Sequence, residues 1–158
     1  MARLVIGIIV GIAISLVSVS MFSLWTLRIS KNILQTMVIL FGSNFSYNIL
    51  GSVGKIVKMD IIGFLFLPPV LLSWLLVGYV SGGIAKGVKR GIMAGLLVLV
   101  VDLLVWILLS VVTGADLMAM FQGNQLFVTL GGIGTGAIGG VLGGLLGGLT
   151  SGKYEEFY

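Results

Sequence analysis

Asp102 is the residue that most needs a chemical explanation, because it is an acid in the middle of an apolar run, GIMAGLLVLVVDLLVWILLSVV. Three chemistries would suit it: a protonated acid hydrogen-bonded to Thr135, a carboxylate that holds a transported cation, or an ion pair with a basic residue of another subunit. An Asp at the centre of a membrane helix costs about 2.5 to 3.5 kcal/mol on insertion scales. An interhelical hydrogen bond in lipid returns only about 0.6 kcal/mol on average, so a hydroxyl alone does not offset that cost. Ser15, Ser73 and Thr135 fall at similar depth in neighbouring apolar runs and complete a midplane polar layer. Other chemistries are poorly supplied. The chain has no Cys and no His, which removes thiol and imidazole catalysis and the ordinary ligands of zinc, haem and iron-sulfur clusters. No catalytic, cofactor or metal site is expected, and the protein is not expected to be an enzyme.

The elements that carry these residues are membrane helices. Of 158 residues 58% are apolar and 9% charged, with a mean hydropathy of +1.22, too little polar surface to coat a water-soluble fold. A spanning helix needs roughly 20 apolar residues to cross ~30 Å of hydrocarbon. Four stretches qualify: Leu4–Trp25, Ile61–Val80 interrupted by Pro68 and Pro69, Gly91–Val112, and Phe127–Leu149. The first is longer than the apolar core of a secretory signal and has no A-x-A site after it, so it is expected to be retained. The expected fold is an all-α, four-helix transmembrane bundle forming a single domain over residues 1–158.

Small residues at every fourth position dominate the sequence. In the fourth stretch Gly132, Gly136, Gly140, Gly144 and Gly148 form one column, and Gly131, Thr135, Gly139, Gly143 and Gly147 form a second beside it. Gly83, Gly87, Gly91 and Gly95 suggest a matching stripe on the third helix, and Gly7, Gly11 and Ser15 a shorter one on the first. Such spacing lets backbones approach closely, which drives helix association in lipid. The expected interface sets the third and fourth helices antiparallel, with Gly95 level with Gly144 and Leu145, and Asp102 level with Ile138, one turn from Thr135.

Positive charges resist translocation, so Lys86, Lys89 and Arg90 place the connection between the second and third helices in the cytoplasm. A cell-membrane, multi-pass protein with both termini cytoplasmic follows, and residues 28–60 lie outside despite Arg28, Lys31, Lys55 and Lys58. Within that segment Ile29, Ile33, Leu34, Met37, Val38, Leu40 and Phe41 share a helical face, read as an amphipathic cap on the bundle. Beyond Gly42, Phe45, Tyr47 and Ile49 alternate with Asn44, Ser46 and Asn48 as in a short strand, and Asn44-Phe45-Ser46 is a glycosylation sequon that external exposure would allow to be used.

The net charge of +4 is carried by basic residues flanking apolar runs, which suits lipid head groups rather than nucleic acid. Gly134-Thr135-Gly136-Ala137-Ile138-Gly139 imitates a dinucleotide fingerprint but sits inside an apolar span with no room for a βαβ unit. Gly51-Ser52-Val53-Gly54-Lys55 imitates a phosphate loop without its spacing or its terminal Ser or Thr. Because packing residues abound and catalytic ones are scarce, the leading expectation is a structural or accessory subunit of a larger membrane assembly, or a homo-oligomer. The partners are then the lipid bilayer and other membrane subunits or further copies of the chain. A small ion or proton channel or transporter using the layer around Asp102 is the alternative, and a membrane-shaping or envelope protein a third.

Overall fold

The computed structural model describes residues 2–22, 32–46, 69–116, 118 and 121–152. Among these the secondary structure is helical, in five elements: α1 (Ala2–Phe22), α2 (Ile33–Ser43), α3 (Pro69–Ala85), α4 (Val88–Val112) and α5 (Gly123–Thr150). Three of them, α1, α4 and α5, are long and apolar enough to cross a membrane, and α3 is a shorter apolar helix of 17 residues. The side chains are distributed as lipid requires. Ile9, Val100, Leu104, Leu108, Ile138, Leu142 and Leu146 face outward, while the buried face of α5 is almost entirely glycine. Water would favour the reverse arrangement; hydrocarbon does not penalise exposed Leu and Ile.

Helix ends follow from local chemistry. Pro69 is the first residue of α3, where its missing N–H has no intrahelical partner to lose and its fixed φ suits the first turn. The described helix begins at this residue; Pro68 and the rest of residues 61–68 lie outside the described residues. The helix continues to Ala85, past the expected end at Val80. There Lys86 (φ 54°) and Gly87 (φ 84°) both take left-handed backbone conformations, which ends α3 and turns the chain into α4. The expected stripe of Gly83, Gly87, Gly91 and Gly95 is thus divided: Gly83 belongs to α3, Gly87 caps α4, and only Gly91 and Gly95 lie within α4.

The hairpin of α3 and α4 lies at the centre, with α1 packed against both helices and α5 packed against both. Gly7 of α1 lies against the Ser81 carbonyl and Gly11 against Val98 and Ser81. Both columns of α5 are used. Gly139, Gly143 and Gly147 lie on the backbone of α3 at Leu71, Leu75 and Tyr79, and Gly140, Gly144 and Gly148 lie on Gly95, Gly91 and Gly87. Gly78 and Gly82 of α3 complete the contact by lying against Gly140 and Gly144. The register corrects the expected one by about a helical turn, since Gly95 meets Gly140 rather than lying level with Gly144. The ends of apolar runs suggest equal depth, whereas the register is set by where main chain touches main chain.

These contacts also fix direction. Arg3, Lys86, Lys89 and Arg90 lie at one end of the helices, and Phe22, Pro69, Asp116 and Gly123 at the other.

Candidate functional site

Above the Gly95–Gly140 contact, toward the Asp116 end, side chains replace backbone between α4 and α5. A Cβ at Gly136 would meet Leu99 Cδ1 at 2.7 Å and Trp74 Nε1 at 2.9 Å, and one at Gly132 would overlap the backbone of Phe45. The space is filled by the end of α2. Asn32 caps that helix by accepting a hydrogen bond from the Leu34 N–H at 3.0 Å. Its first turn is exposed, with Ile33 74% accessible, and burial increases along it to Phe41, Asn44 and Phe45. The Phe45 ring lies 5.5 Å from Trp106, stacked at 27°, and 6.0 Å from Trp74, tilted at 49°. Asn44 Nδ2 donates to the Ser15 carbonyl at 3.2 Å, and Trp74 Nε1 donates to the Asn44 carbonyl at 3.1 Å.

The tip of α2 therefore enters between the helices and touches α1, α3, α4 and α5. The amphipathic helix expected here is present, but its end enters the bundle instead of lying over it, and Asn44 and Phe45 form a turn where the start of a strand was expected. Asn44 and Phe45 form the turn that ends α2, and Asn44 is 1% exposed, so the sequon is closed to a glycosyl transfer in this conformation. Residues 47–60 and 28–31 of the segment lie outside the described residues.

Beside the tip sits a polar cluster. Ser15 Oγ donates to the Ile12 carbonyl at 2.8 Å, and Ser18 Oγ to the Ser15 carbonyl at 3.2 Å. The Ser18 and Ser73 hydroxyls form a very short pair that joins α1 to α3. Asp102 is completely buried, and neither of its carboxyl oxygens has a hydrogen-bond partner among the described residues. The Ser15 hydroxyl lies beside it, within reach of both the Asp102 carboxyl and the Ile12 carbonyl. A serine hydroxyl carries one donor and two acceptor sites. It can serve Asp102 by turning away from Ile12, or it can accept a proton that Asp102 itself carries.

Thr135 is not Asp102's partner. Its hydroxyl donates to the Gly131 carbonyl of its own helix at 2.7 Å, and it stands in the column of α5 that packs on α3. The face of α4 shared with Gly91 and Gly95 does carry Asp102, but at that level the aromatic rings and the α2 tip fill the space before α5. Burial inside one chain also leaves Asp102 no surface on which a base from a second subunit could reach it. Ser15 and Ser73 are brought together, through Ser18.

Sequence reasoning missed Ser18, Asn44, Phe45, Trp74, Trp106 and Ser110. The available signal was aromatic. Trp74 and Trp106 stand well inside apolar runs rather than at the interface where Trp is usual, and a buried indole N–H needs an acceptor. Ser110 is likewise fully buried, with no partner for its hydroxyl among the described residues. Compared with protein families, with curated proteins and with solved structures, the chain matches none.

Proposed function

We propose that this protein is a small membrane channel or transporter in which Asp102 takes up a proton or a small monovalent cation within the membrane. The reading takes α3 as the fourth span, α2 as a helix dipping in from one side, and the glycine columns as a zipper within a single chain. The observation that carries it is the carboxyl group of Asp102, fully buried with the Ser15 hydroxyl beside it and no hydrogen bond fixed on either oxygen among the described residues. A structural acid is expected to be paired, because an unpaired charge in hydrocarbon is costly. An acid that exchanges a proton or cation must keep its oxygens available. Ser15 supplies a hydroxyl dipole beside it, and Ser18, Ser73 and Asn44 are linked to Ser15 through its carbonyl, so a passing charge meets polar groups on α1 without being fixed in place. Intramembrane acids that face a helix interior commonly mark ion paths. An accessory role was expected because packing residues abound and catalytic ones are scarce, and that support weakens because both columns of α5 are occupied by α3 and α4 of the same chain. No enzymatic activity is proposed.

The test is Asp102→Asn in purified protein reconstituted into liposomes, with proton uptake followed by an internal pH dye and rubidium or sodium uptake measured separately. Asn keeps the shape and removes the exchangeable proton and the charge. The expected result is flux in the wild type, lost in the variant while the protein remains monodisperse. Equal flux in the two proteins, or none in the wild type for any of the three ions, would return the chain to the accessory role.

The four-span topology has its own prediction. The chain has no cysteine of its own, so Lys89→Cys and Asp116→Cys introduce single labels at opposite ends of α4. A membrane-impermeant maleimide applied to intact cells should label Asp116→Cys and spare Lys89→Cys until the cells are opened, which also places the basic end in the cytoplasm. Labelling of both from one side would defeat the topology.

A further inference from the structure

We infer that the Asn44–Phe45 tip of α2 is the gate of the Asp102 site, opening it toward the membrane side away from Lys86, Lys89 and Arg90. The inference rests on the reading of Asp102 as an ion site. At the basic end the seam between α4 and α5 is closed by main-chain contact at Gly87–Gly148, Gly91–Gly144 and Gly95–Gly140, with no side chain between the two helices at those positions. At the other end the corresponding space between α4 and α5 is occupied by a separate piece of chain. Phe45 seats its backbone on Gly132 and its ring on Trp106 and Trp74.

Two buried polar groups without partners flank this plug. Asp102, Trp106 and Ser110 follow one another at four-residue steps on one face of α4, so their side chains form a single stripe running toward the Asp116 end. Asp102 lies on the inner side of the Phe45–Trp106 stack and Ser110 on the outer side, and neither the Ser110 hydroxyl nor the Asp102 carboxyl has a hydrogen-bond partner among the described residues. Withdrawing the tip joins these two groups into one polar path. The tip is held by two hydrogen bonds, from Asn44 to the Ser15 carbonyl and from Trp74 to the Asn44 carbonyl, and by its aromatic contacts. Hydrogen bonds and stacked pairs of this kind are individually weak, so they can be broken and remade during transport.

The experiment measures ion flux and access together. In liposomes, Phe45→Ala should raise flux on the order of tenfold, the factor expected from losing one stacked aromatic pair. In an Asp102→Cys protein, where no other cysteine competes, the same change should speed modification by 2-aminoethyl methanethiosulfonate applied from the Asp116 side. Phe45→Leu keeps most of the volume without the stacking and should show a smaller rise, which preserves the test if the alanine variant does not fold. Flux and modification rates unchanged by either substitution in monodisperse protein would overturn the gate and leave the ion site intact. Flux that survives in an Asp102→Asn, Phe45→Ala double variant would instead overturn the ion site.

Discussion

Gly144→Leu is expected to yield little or no folded protein, because position 144 is pressed against two other helices at once. A Cβ there would stand 2.8 Å from the Gly91 carbonyl carbon and 3.1 Å from Ile92 Cα, while Gly78 and Gly82 of α3 approach the same residue from the other side. Ordinary overpacking costs about 1 to 3 kcal/mol because side chains yield. Here the atoms in the way are main chain of two helices, so a leucine must drive α5 away from α3 and α4 together. That separation also removes the close contacts that offset the poor helix propensity of glycine. Two controls lie on the same helix. Leu146 is 50% exposed toward lipid, and an added Cβ at Gly134 meets nothing within 4 Å. Leu146→Ala and Gly134→Ala should both extract as monodisperse protein, the second with unchanged or slightly higher thermal stability. If Gly144→Leu melts at the wild-type temperature in detergent, the helices do not pack as described.

Trp74→Ala should be the most damaging truncation of a single side chain. Trp74 is completely buried, lies against Gly136 and Gly139 of α5, touches Phe45, and donates its indole N–H to the Asn44 carbonyl at 3.1 Å. It therefore joins three pieces of chain, α3, α5 and the tip of α2. Removing a buried Trp side chain costs about 3 to 5 kcal/mol, from the lost burial of the ring and from the cavity left where rigid backbone cannot collapse. Trp74→Phe separates the contributions, since it keeps most of the packing and loses the hydrogen bond, a difference of about 1 kcal/mol. Thermal unfolding in detergent should rank wild type above Trp74→Phe and Trp74→Phe well above Trp74→Ala. Equal melting of the alanine variant and the wild type would mean that the indole does not hold these three pieces together.

By itself the sequence determined the solvent and the faces. Long apolar runs can be satisfied only by helices in lipid, where every backbone group must find its partner within the segment. The spacing of small residues on α5 marked both columns that now lie on α3 and α4, and the isolation of Asp102 in an apolar run marked it as the acid to explain. These are local properties, since a helical period assigns each residue to a face whatever lies opposite.

Register and partnership were decided only in the folded protein. Gly95 rests on Gly140 because the closest approach of two backbones depends on every contact along both helices, and no periodicity contains that information. Thr135 satisfies its own helix while Asp102 faces a different space, because helices that touch at Gly95 diverge beyond it and other residues fill the gap. The alternation around Asn44, Phe45 and Ser46 resembles a strand, and polar residues in a connection suggest exposure. Burial of Asn44 and Phe45 becomes favourable only once Trp74, Trp106, Gly132 and the Ser15 carbonyl are assembled to receive them, from four helices far apart in the chain. A site built from such distant pieces has no local signature, because the energy that places each residue comes from neighbours the sequence does not put beside it.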